Sequence, residues 1–248
     1  MTKKPSFAKK QKANRFEDVV ALIKREILLK TYKVGDMLPR EEELAILLGI
    51  SRPMVREALA VLKTEGYLEA KRGVGGGTFV KDILQSGKMG ELISDLIVMG
   101  QMSIADLCNA RLLIEPECAR AAATHATPGE IRVLASILDK TASEQDRMVA
   151  VEYAAEFHNY IALCSKNVYF AMTMRGMMGF TRLFIQTLVD LNDDIHDDTS
   201  HEAVFDAIAS HNGQEAYEQM FIHVVELKKS MCELEDHFRE VTNTNLRE

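Results

Sequence analysis

Two arginines one helical turn apart are the first sign of binding chemistry in this chain of 248 residues. Arg52 and Arg56 lie in the segment SRPMVREAL (51–59), and residues four positions apart point to the same side of a helix. Val55 and Leu62 fall on a separate, apolar side. A short helix with one buried face and two outward guanidinium groups predicts an anionic partner. The alternative is that both arginines are solvated surface charges.

The charge balance changes sign along the chain. Residues 1–81 contain 17 Lys and Arg against 10 Asp and Glu, a balance of +7, whereas residues 82–248 carry a balance of −14. A basic surface attracts polyanions such as nucleic acids, and an acidic surface does not. Two domains with different partners are therefore expected.

The basic part of the chain predicts three helices followed by a β-hairpin. Apolar spacing predicts a helix over 16–30, EEELAILL predicts one over 41–48, and Ser51 as N-cap begins a third over about 52–64. The β-prone segments YLEAKR and TFVKD, joined by GVGGG, predict the hairpin. This order of elements is the layout of a winged helix-turn-helix, which binds DNA.

From about residue 88 onward the sequence predicts only helices. Two capping boxes, Ser103 to Asp106 and Thr127 to Glu130, mark helix starts near residues 104 and 128. The predicted helices cover 88–99, 104–125, 128–143, 148–164, 168–191, 199–211 and 214–240. The expected fold is mainly α: a winged helix-turn-helix with a small β-hairpin wing, then an all-α bundle of about six to seven helices that can enclose a pocket.

Composition indicates a cytoplasmic protein. The sequence contains no run of 18 or more apolar residues, so no membrane span and no membrane partner are expected. The basic N-terminus is not followed by the apolar stretch and cleavage site of a signal peptide. The four cysteines of the chain form no CxxC pair, which fits a reducing compartment and gives no zinc-finger pattern.

The segment LPREEELAILLGISRPMVREALAVLKTEGYLEAKRGVGGGTFV resembles the DNA-binding domain of GntR-family bacterial transcriptional regulators. The helical remainder resembles the FCD effector-binding domain of the FadR subfamily through ADLCNARLLIEPECARAAA, EFHNYIALCSKN and HEAVFDAIASHNGQEAYEQMFIHV. The composition of residues 1–13 predicts a basic, disordered tail. The resemblance implies a DNA-binding domain over 14–81 and an effector-binding and dimerisation domain over 82–248. An arm along the phosphate backbone is the alternative for the tail.

The resemblance also implies a homodimer that binds a palindromic operator in double-stranded DNA and regulates a catabolic operon as a repressor. Its effector is expected to be a small organic acid. Three alternatives remain open: a metal-free regulator with an apolar or acyl effector, a metal-dependent hydrolase built on three histidines, and a structural protein that compacts DNA. The regulator is expected not to be an enzyme.

The residues expected to contact DNA lie around the second and third helices and in the hairpin. Arginine suits bidentate contact with guanine O6 and N7, so Arg52 and Arg56 are expected at base edges and Ser51 and Lys63 at phosphates. The glycine-rich tip allows the wing to approach the minor groove closely. The predicted set is Arg40, Ser51, Arg52, Arg56, Lys63, Arg72, Gly76, Gly77 and Thr78.

One position departs from the family pattern. Members commonly carry P-S-E-R-E-L, in which the arginine contacts DNA, whereas this chain has Glu42 at that position and an arginine at Arg40. A carboxylate beside a phosphate or a guanine acceptor is unfavourable. Either Arg40 takes over the contact, or Glu42 accepts a hydrogen bond from cytosine N4.

The resemblance implies a divalent metal held by an Asp-x-x-x-His pair and two further histidines. His158, His201 and His223 match the histidines, but Ala154 replaces the aspartate. Water, an effector carboxylate, or Glu156 on a distorted helix could then complete the site, and zinc, nickel and manganese are not separable. The alternative is three separately hydrogen-bonded core histidines. His125, His196, His211 and His237 match no ligand position and are expected at the surface or in caps.

Arg111 corresponds to an arginine that binds an effector carboxylate in related regulators. A bidentate arginine–carboxylate pair suits that role. The alternative is a salt bridge to Glu115, one turn further along the helix. The methionine-rich stretch AMTMRGMMGF (171–180) is expected either to fill the core or to line an adaptable apolar wall.

Overall fold

The structure is a computed structural model that describes residues 16–85, 87–188 and 199–245. The chain divides into two compact units, the first ending at Lys88 and the second beginning at Met89. The predicted tail over 1–13, His196 and the acidic turn NDDIHDD lie outside the described residues. Among the helices that the structure describes, none has the length and apolar character that crossing a membrane requires.

The first unit contains three helices and a two-stranded antiparallel sheet, as predicted. In chain order these are α1 (Phe16–Leu28), α2 (Glu41–Leu48), α3 (Arg52–Thr64), β1 (Leu68–Lys71), β2 (Gly77–Val80) and a short 3₁₀ helix (Ile83–Gln85). The apolar faces of the helices and the hairpin enclose one core. Its buried residues include Val19, Ile23, Leu38, Leu44, Val55, Ala58, Leu59, Leu62, Leu68 and Val80.

Local signals explain why α2 and α3 begin and end where they do. Three glutamates in the first turn of α2 face the positive end of the helix dipole. Gly49 ends α2 with φ +67°, a left-handed conformation that favours glycine. Ser51 then caps α3, because its hydroxyl accepts a hydrogen bond from the Met54 N–H at 3.4 Å.

The wing is held in register by its sheet and by a close backbone approach in its turn. Leu68 pairs with Val80 and Lys71 with Gly77 across the two strands. A Cβ atom on Gly76 would lie 2.5 Å from the carbonyl oxygen of Lys71, so no side chain fits there. The tight turn therefore requires glycine at this position.

The second unit consists of helices only, within the part of the chain that the structure describes. They are α4 (Lys88–Val98), α5 (Ile104–His125), α6 (Pro128–Ser143), α7 (Arg147–Cys164), α8 (Val168–Thr187), α9 (Thr199–Ala209), α10 (Gly213–Glu233) and α11 (Glu235–Asn245). Both predicted capping boxes are confirmed, since the Ser103 and Thr127 hydroxyls accept from the backbone N–H of Asp106 and Glu130. Helix α5 packs along α10, and α7 packs along α8.

The predicted helix over 214–240 is wrong in its length, because it is two helices. Helix α10 ends at Glu233, Leu234 leaves the helical conformation with ψ near 2°, and α11 begins at Glu235. The break allows α11 to contact the connection between α4 and α5. There Arg239 donates to the carbonyl of Met102 at 3.1 Å. On another side of α11, Phe238 is buried against Phe180 and Phe184 of α8.

Candidate functional site

Three of the predicted DNA-contacting arginines line one cleft in the first unit. The cleft has a volume of about 590 Å³ and is lined by Met37, Leu38, Pro39, Arg40, Glu41, Glu42, Arg52, Arg56, Gly76, Gly77 and Thr78. The side chains of Arg52 and Arg56 are 57% and 65% exposed, so their guanidinium groups are accessible. The start of α2, the start of α3 and the wing thus bring arginines and glycines together at one opening.

A glutamate that the sequence reasoning missed lies between the two arginines of α3. The Glu41 carboxylate is 3.3 Å from Nε of Arg56 and 3.6 Å from Nε of Arg52. The partner of Arg56 therefore comes from α2, the other helix of the motif. An exposed ion pair contributes only about 0–1 kcal/mol. Glu41 therefore orients the arginines without binding them strongly.

The remaining predicted DNA-contacting residues lie outside this cleft. Ser51 caps α3, Lys63 is half-buried in the last turn of the same helix, and Arg72 is exposed in the turn of the hairpin.

Arg40 and Glu42 both line the cleft. The backbone N–H of Arg40 donates to the Glu43 carboxylate at 2.8 Å, which fixes the start of α2 and leaves the Arg40 side chain exposed.

The three histidines implied by the family resemblance converge in the second unit. His158 on α7, His201 on α9 and His223 on α10 are at most 3% exposed. One ligand nitrogen from each ring lies within 4.8 Å of the others, and Nε2 of His158 is 3.0 Å from Nε2 of His201. Three buried imidazoles on three helices are a donor set that a divalent transition metal can occupy. The cluster could therefore hold a metal ion.

Arg111 and Glu115 on α5 extend this cluster into a buried polar network. Glu115 Oε1 accepts a hydrogen bond from Nε of Arg111, and Glu115 Oε2 lies 2.7 Å from Nδ1 of His158. Nη1 of Arg111 donates to the Thr181 hydroxyl at 2.9 Å. The salt bridge considered for Arg111 is therefore present. The contact between Glu115 and His158 has no local spacing signal, because it joins two helices 43 positions apart.

Burial and charge oppose each other at Glu115. Burial alone would raise the pKa of this carboxyl, because the charged form loses its hydration. The Arg111 charge and the contact with His158 outweigh burial and hold the pKa of Glu115 well below its usual range. Glu115 is therefore an ionised, paired carboxylate inside the helical unit.

A small cavity adjoins this network. It measures about 10 Å³ and is lined by Arg111, Val151, Ala154, Ala155, His158, Met178, Thr181, Arg182, Ile185 and Leu227. Nη2 of Arg111 is buried with no hydrogen-bond partner among the described residues. The methionine-rich stretch has both expected roles, since Met174 and Met177 are buried in the core while Met178 lines the cavity.

The residues around the histidines show which further ligands the chain offers. Ala154 lies beside the cavity and brings no ligand atom to the cluster. Glu156, considered as a replacement ligand, is exposed on a continuous α7, so this expectation is wrong. His125 is exposed, His237 lies 3.9 Å from the Glu240 carboxylate, and His211 lies 2.8 Å from the Ala123 carbonyl. These three lie outside the cluster, as predicted.

Fold and sites together define the class of protein. A winged helix-turn-helix with exposed arginines beside its wing, followed by a helical unit with buried charged groups beside a cavity, is a ligand-responsive DNA-binding transcriptional regulator. The model of the bacterial regulatory proteins of the gntR family matches residues 15–80, and the model of the FCD domain matches residues 106–226. The chain belongs to the GntR family and carries an FCD domain.

Relatives support the same class along nearly the whole chain. A proposed L-lactate dehydrogenase operon regulatory protein of Escherichia coli K12 is 30% identical over 93% of this chain and 92% of its own length. The Uxu operon regulator of Haemophilus influenzae is 30% identical over 87% of this chain and 81% of its own length. The solved structure of Streptococcus agalactiae GntR shares the fold, with a TM-score of 0.63 at 23% identity over 87% of this chain and all of that one. The first two relatives are named as operon regulators, which favours a regulator over the hydrolase.

Proposed function

We propose that this protein is a homodimeric repressor of a catabolic operon whose binding to DNA is controlled by a small organic acid. A dimer presents two recognition helices to successive major grooves of a palindromic operator. An effector changes this binding only through its different affinity for two arrangements of the protein. The operon named for one relative, that of L-lactate dehydrogenase, supports a small acid as effector. Because its partner is chromosomal DNA, the protein acts in the cytoplasm.

Helix α3 is the proposed recognition helix. An arginine–guanine pair contributes about 1–3 kcal/mol of discrimination, which exceeds the about 0–1 kcal/mol of an exposed ion pair. Guanine therefore displaces Glu41 from Arg52 and Arg56. In this arrangement Ser51 and Lys63 contact phosphates, and the wing lies along the minor groove with Gly76, Gly77, Thr78 and Arg72.

Arg40 is proposed to replace the arginine that family members carry at the position of Glu42, because both residues line the same cleft. Glu42→Arg is expected to change the preferred base at one or two positions of each half-site, by about 1–3 kcal/mol per position. Selection of operators from random double-stranded DNA measures this preference. Glu17→Arg, which makes the same charge change on α1, is the control. An unchanged preference in Glu42→Arg overturns the assignment.

The effector acid is proposed to bind at Arg111. The observation that carries this proposal is the buried Nη2 atom of Arg111, which has no hydrogen-bond partner among the described residues. A guanidinium N–H is well suited to a carboxylate. The adjoining cavity of about 10 Å³ has room for about one water molecule, so side chains such as Met178 must move to admit an acid. A short acid requires less movement than an acyl chain and is therefore favoured.

The histidine cluster is proposed to hold one divalent metal beside the effector. Three imidazole ligands suit zinc or nickel better than manganese, which prefers carboxylates. When bound, the ion supplies a Lewis-acid anchor for a carboxylate oxygen of the acid. His158, His201 and His223 would hold the ion, and Arg111 would bind the carboxylate of the acid.

An exposed apolar face on α5 and α10 is the proposed dimer contact. Leu113 is 75% exposed, and Phe221 and Val225 are 41% and 44% exposed. The two helices lie side by side, since Asn109 on α5 accepts a hydrogen bond from Lys228 on α10 at 2.7 Å. Arg120 on α5 also lies 4.3 Å from the ring centre of Tyr217 on α10. Leu113 lies between these two contacts on α5, and Phe221 and Val225 lie between them on α10. Contiguous exposed apolar side chains indicate a protein interface, and a second copy of the chain is the occupant that a palindromic operator requires.

Native mass spectrometry of freshly purified protein tests the proposed function as a whole. A dimer that carries one metal ion per chain and a small acid is expected. Leu113→Asp is expected to shift the protein to monomers, because it places a charge in the apolar face, whereas Leu163→Asp, an exposed leucine on α7, leaves the dimer intact. A metal-free protein with a bound acyl compound supports the alternative regulator. A wild-type monomer contradicts the dimer.

A further inference from the structure

Glu115 is the only carboxylate that the described residues bring into contact with the histidine cluster, and it contacts one ring at one atom. Its Oε2 atom lies 2.7 Å from Nδ1 of His158, within hydrogen-bonding distance. Glu115 is fully buried, and His158 is 1% exposed. Because a carboxylate accepts hydrogen bonds, this close approach favours the His158 tautomer that carries its proton on Nδ1.

The position of that proton decides which nitrogen of His158 can bind a cation. With Nδ1 protonated and facing Glu115, the lone pair lies on Nε2, which is the atom 3.0 Å from Nε2 of His201. Metal-binding histidines almost always donate their other N–H to a carboxylate or a carbonyl, which fixes the ring and raises its basicity. Glu115 meets this requirement from a different helix.

Arg111 explains how a carboxylate remains ionised at this depth. Its guanidinium group donates from Nε to Glu115 and from Nη1 to the Thr181 hydroxyl, and Thr181 in turn donates to the Met177 carbonyl at 3.0 Å. An unpaired buried carboxylate would be neutralised rather than remain charged. The chain of contacts therefore runs from α8 through Arg111 and Glu115 to His158.

We propose that Glu115 is a positioning residue of the metal centre, which acts through His158 and is itself oriented by Arg111. This inference rests on the proposed binding of a metal by the three histidines. It assigns Arg111 a second task besides binding the effector acid. Glu115 thus supports, from outside the ligand set, a site whose own helix α7 has Ala154 where family members carry aspartate.

Competition between the full-length protein and a chromogenic chelator for Zn²⁺ alone tests the proposal. Glu115→Gln keeps the size of the side chain and a carbonyl oxygen that accepts from Nδ1, but removes the charge. Its Zn²⁺ affinity is expected to fall about 10- to 100-fold, the usual effect of losing an outer partner of a histidine ligand. Glu117→Gln, two residues further along α5 and half-exposed at 45%, is the matched control and is expected to bind as the wild type does.

The outcomes separate the two proposals. If the wild type binds no Zn²⁺, the metal centre itself fails, and this inference fails with it. If the wild type binds Zn²⁺ and Glu115→Gln binds it equally tightly, the metal centre stands and the role of Glu115 is overturned.

A measurement on the wild type keeps the proposal testable even if Glu115→Gln does not fold. In metal-free protein, ¹⁵N NMR of the histidine rings reports which nitrogen carries the proton. His158 is expected to be protonated on Nδ1, with an unprotonated Nε2. A His158 ring protonated on Nε2 alone would show that the contact with Glu115 does not decide which nitrogen is free to bind a metal.

Discussion

The double variant Arg52→Ala/Arg56→Ala is expected to lose about 30- to 10⁴-fold in discrimination between its operator and unrelated DNA. Each arginine–guanine pair contributes about 1–3 kcal/mol, and each 1.4 kcal/mol is a factor of ten. The loss of both arginines also leaves the Glu41 carboxylate facing DNA without its partners, which adds repulsion. Fluorescence anisotropy with a selected operator and with a scrambled sequence measures both affinities, each at several salt concentrations.

The matched control for this variant is Arg25→Ala/Lys33→Ala, which removes the same charge from the first unit outside the cleft. It lowers affinity for both DNA sequences alike, because removal of a distant charge weakens only long-range attraction. A double variant of Arg52 and Arg56 that behaves in the same way, with an unchanged ratio between operator and scrambled DNA, would falsify the assignment of α3 as the recognition helix.

The second large effect is expected for His223→Ala. Removal of one of three imidazole ligands is expected to weaken Zn²⁺ binding by at least about 100-fold, more than loss of an outer partner does. A metal that binds only the folded state stabilises it by about 2.7 kcal/mol at a concentration one hundred times its Kd. The wild type therefore unfolds at a higher temperature with Zn²⁺ than with a chelator, and His223→Ala loses this difference.

Thermal unfolding with and without Zn²⁺ measures this effect. Each variant is compared with itself in the two conditions, so the stability lost through the cavity that the substitution creates is the same in both. His125→Ala removes an exposed histidine at the end of α5 and keeps the full response to the metal. The same metal-dependent rise in His223→Ala and in the wild type would show that Zn²⁺ binds elsewhere and that the cluster is a structural group of core histidines.

The sequence predicts the elements around both sites because their signals are local. Ser51, Ser103 and Thr127 begin helices through hydrogen bonds to residues three positions away, and Gly49 ends one through its backbone conformation. The break at Leu234 has no such signal, because leucine is a good helix former. It follows instead from contacts of α11 with distant parts of the second unit, which no local pattern encodes.

The candidate sites divide in the same way. The spacing of Arg111 and Glu115 on one helix is a local pattern, so their salt bridge could be anticipated. The contacts of Glu41 with the α3 arginines, and of Glu115 with His158, join separate helices. The residues themselves lie in segments that the sequence singles out, but no spacing along the chain predicts these two contacts. Only the packing of the helices reveals them.

Each unit has its own core, and among the described residues the two cores have no buried side chain in common. A substitution that reshapes the cavity beside Arg111 therefore disturbs no packing around α3, and a change of the DNA-contacting arginines disturbs none around the histidines. Mutations of the two kinds therefore act on separate hydrophobic cores. In evolutionary terms, the residues that recognise the signal can change without repacking the core that presents α3, and the residues that read the operator can change without repacking the core around the histidines.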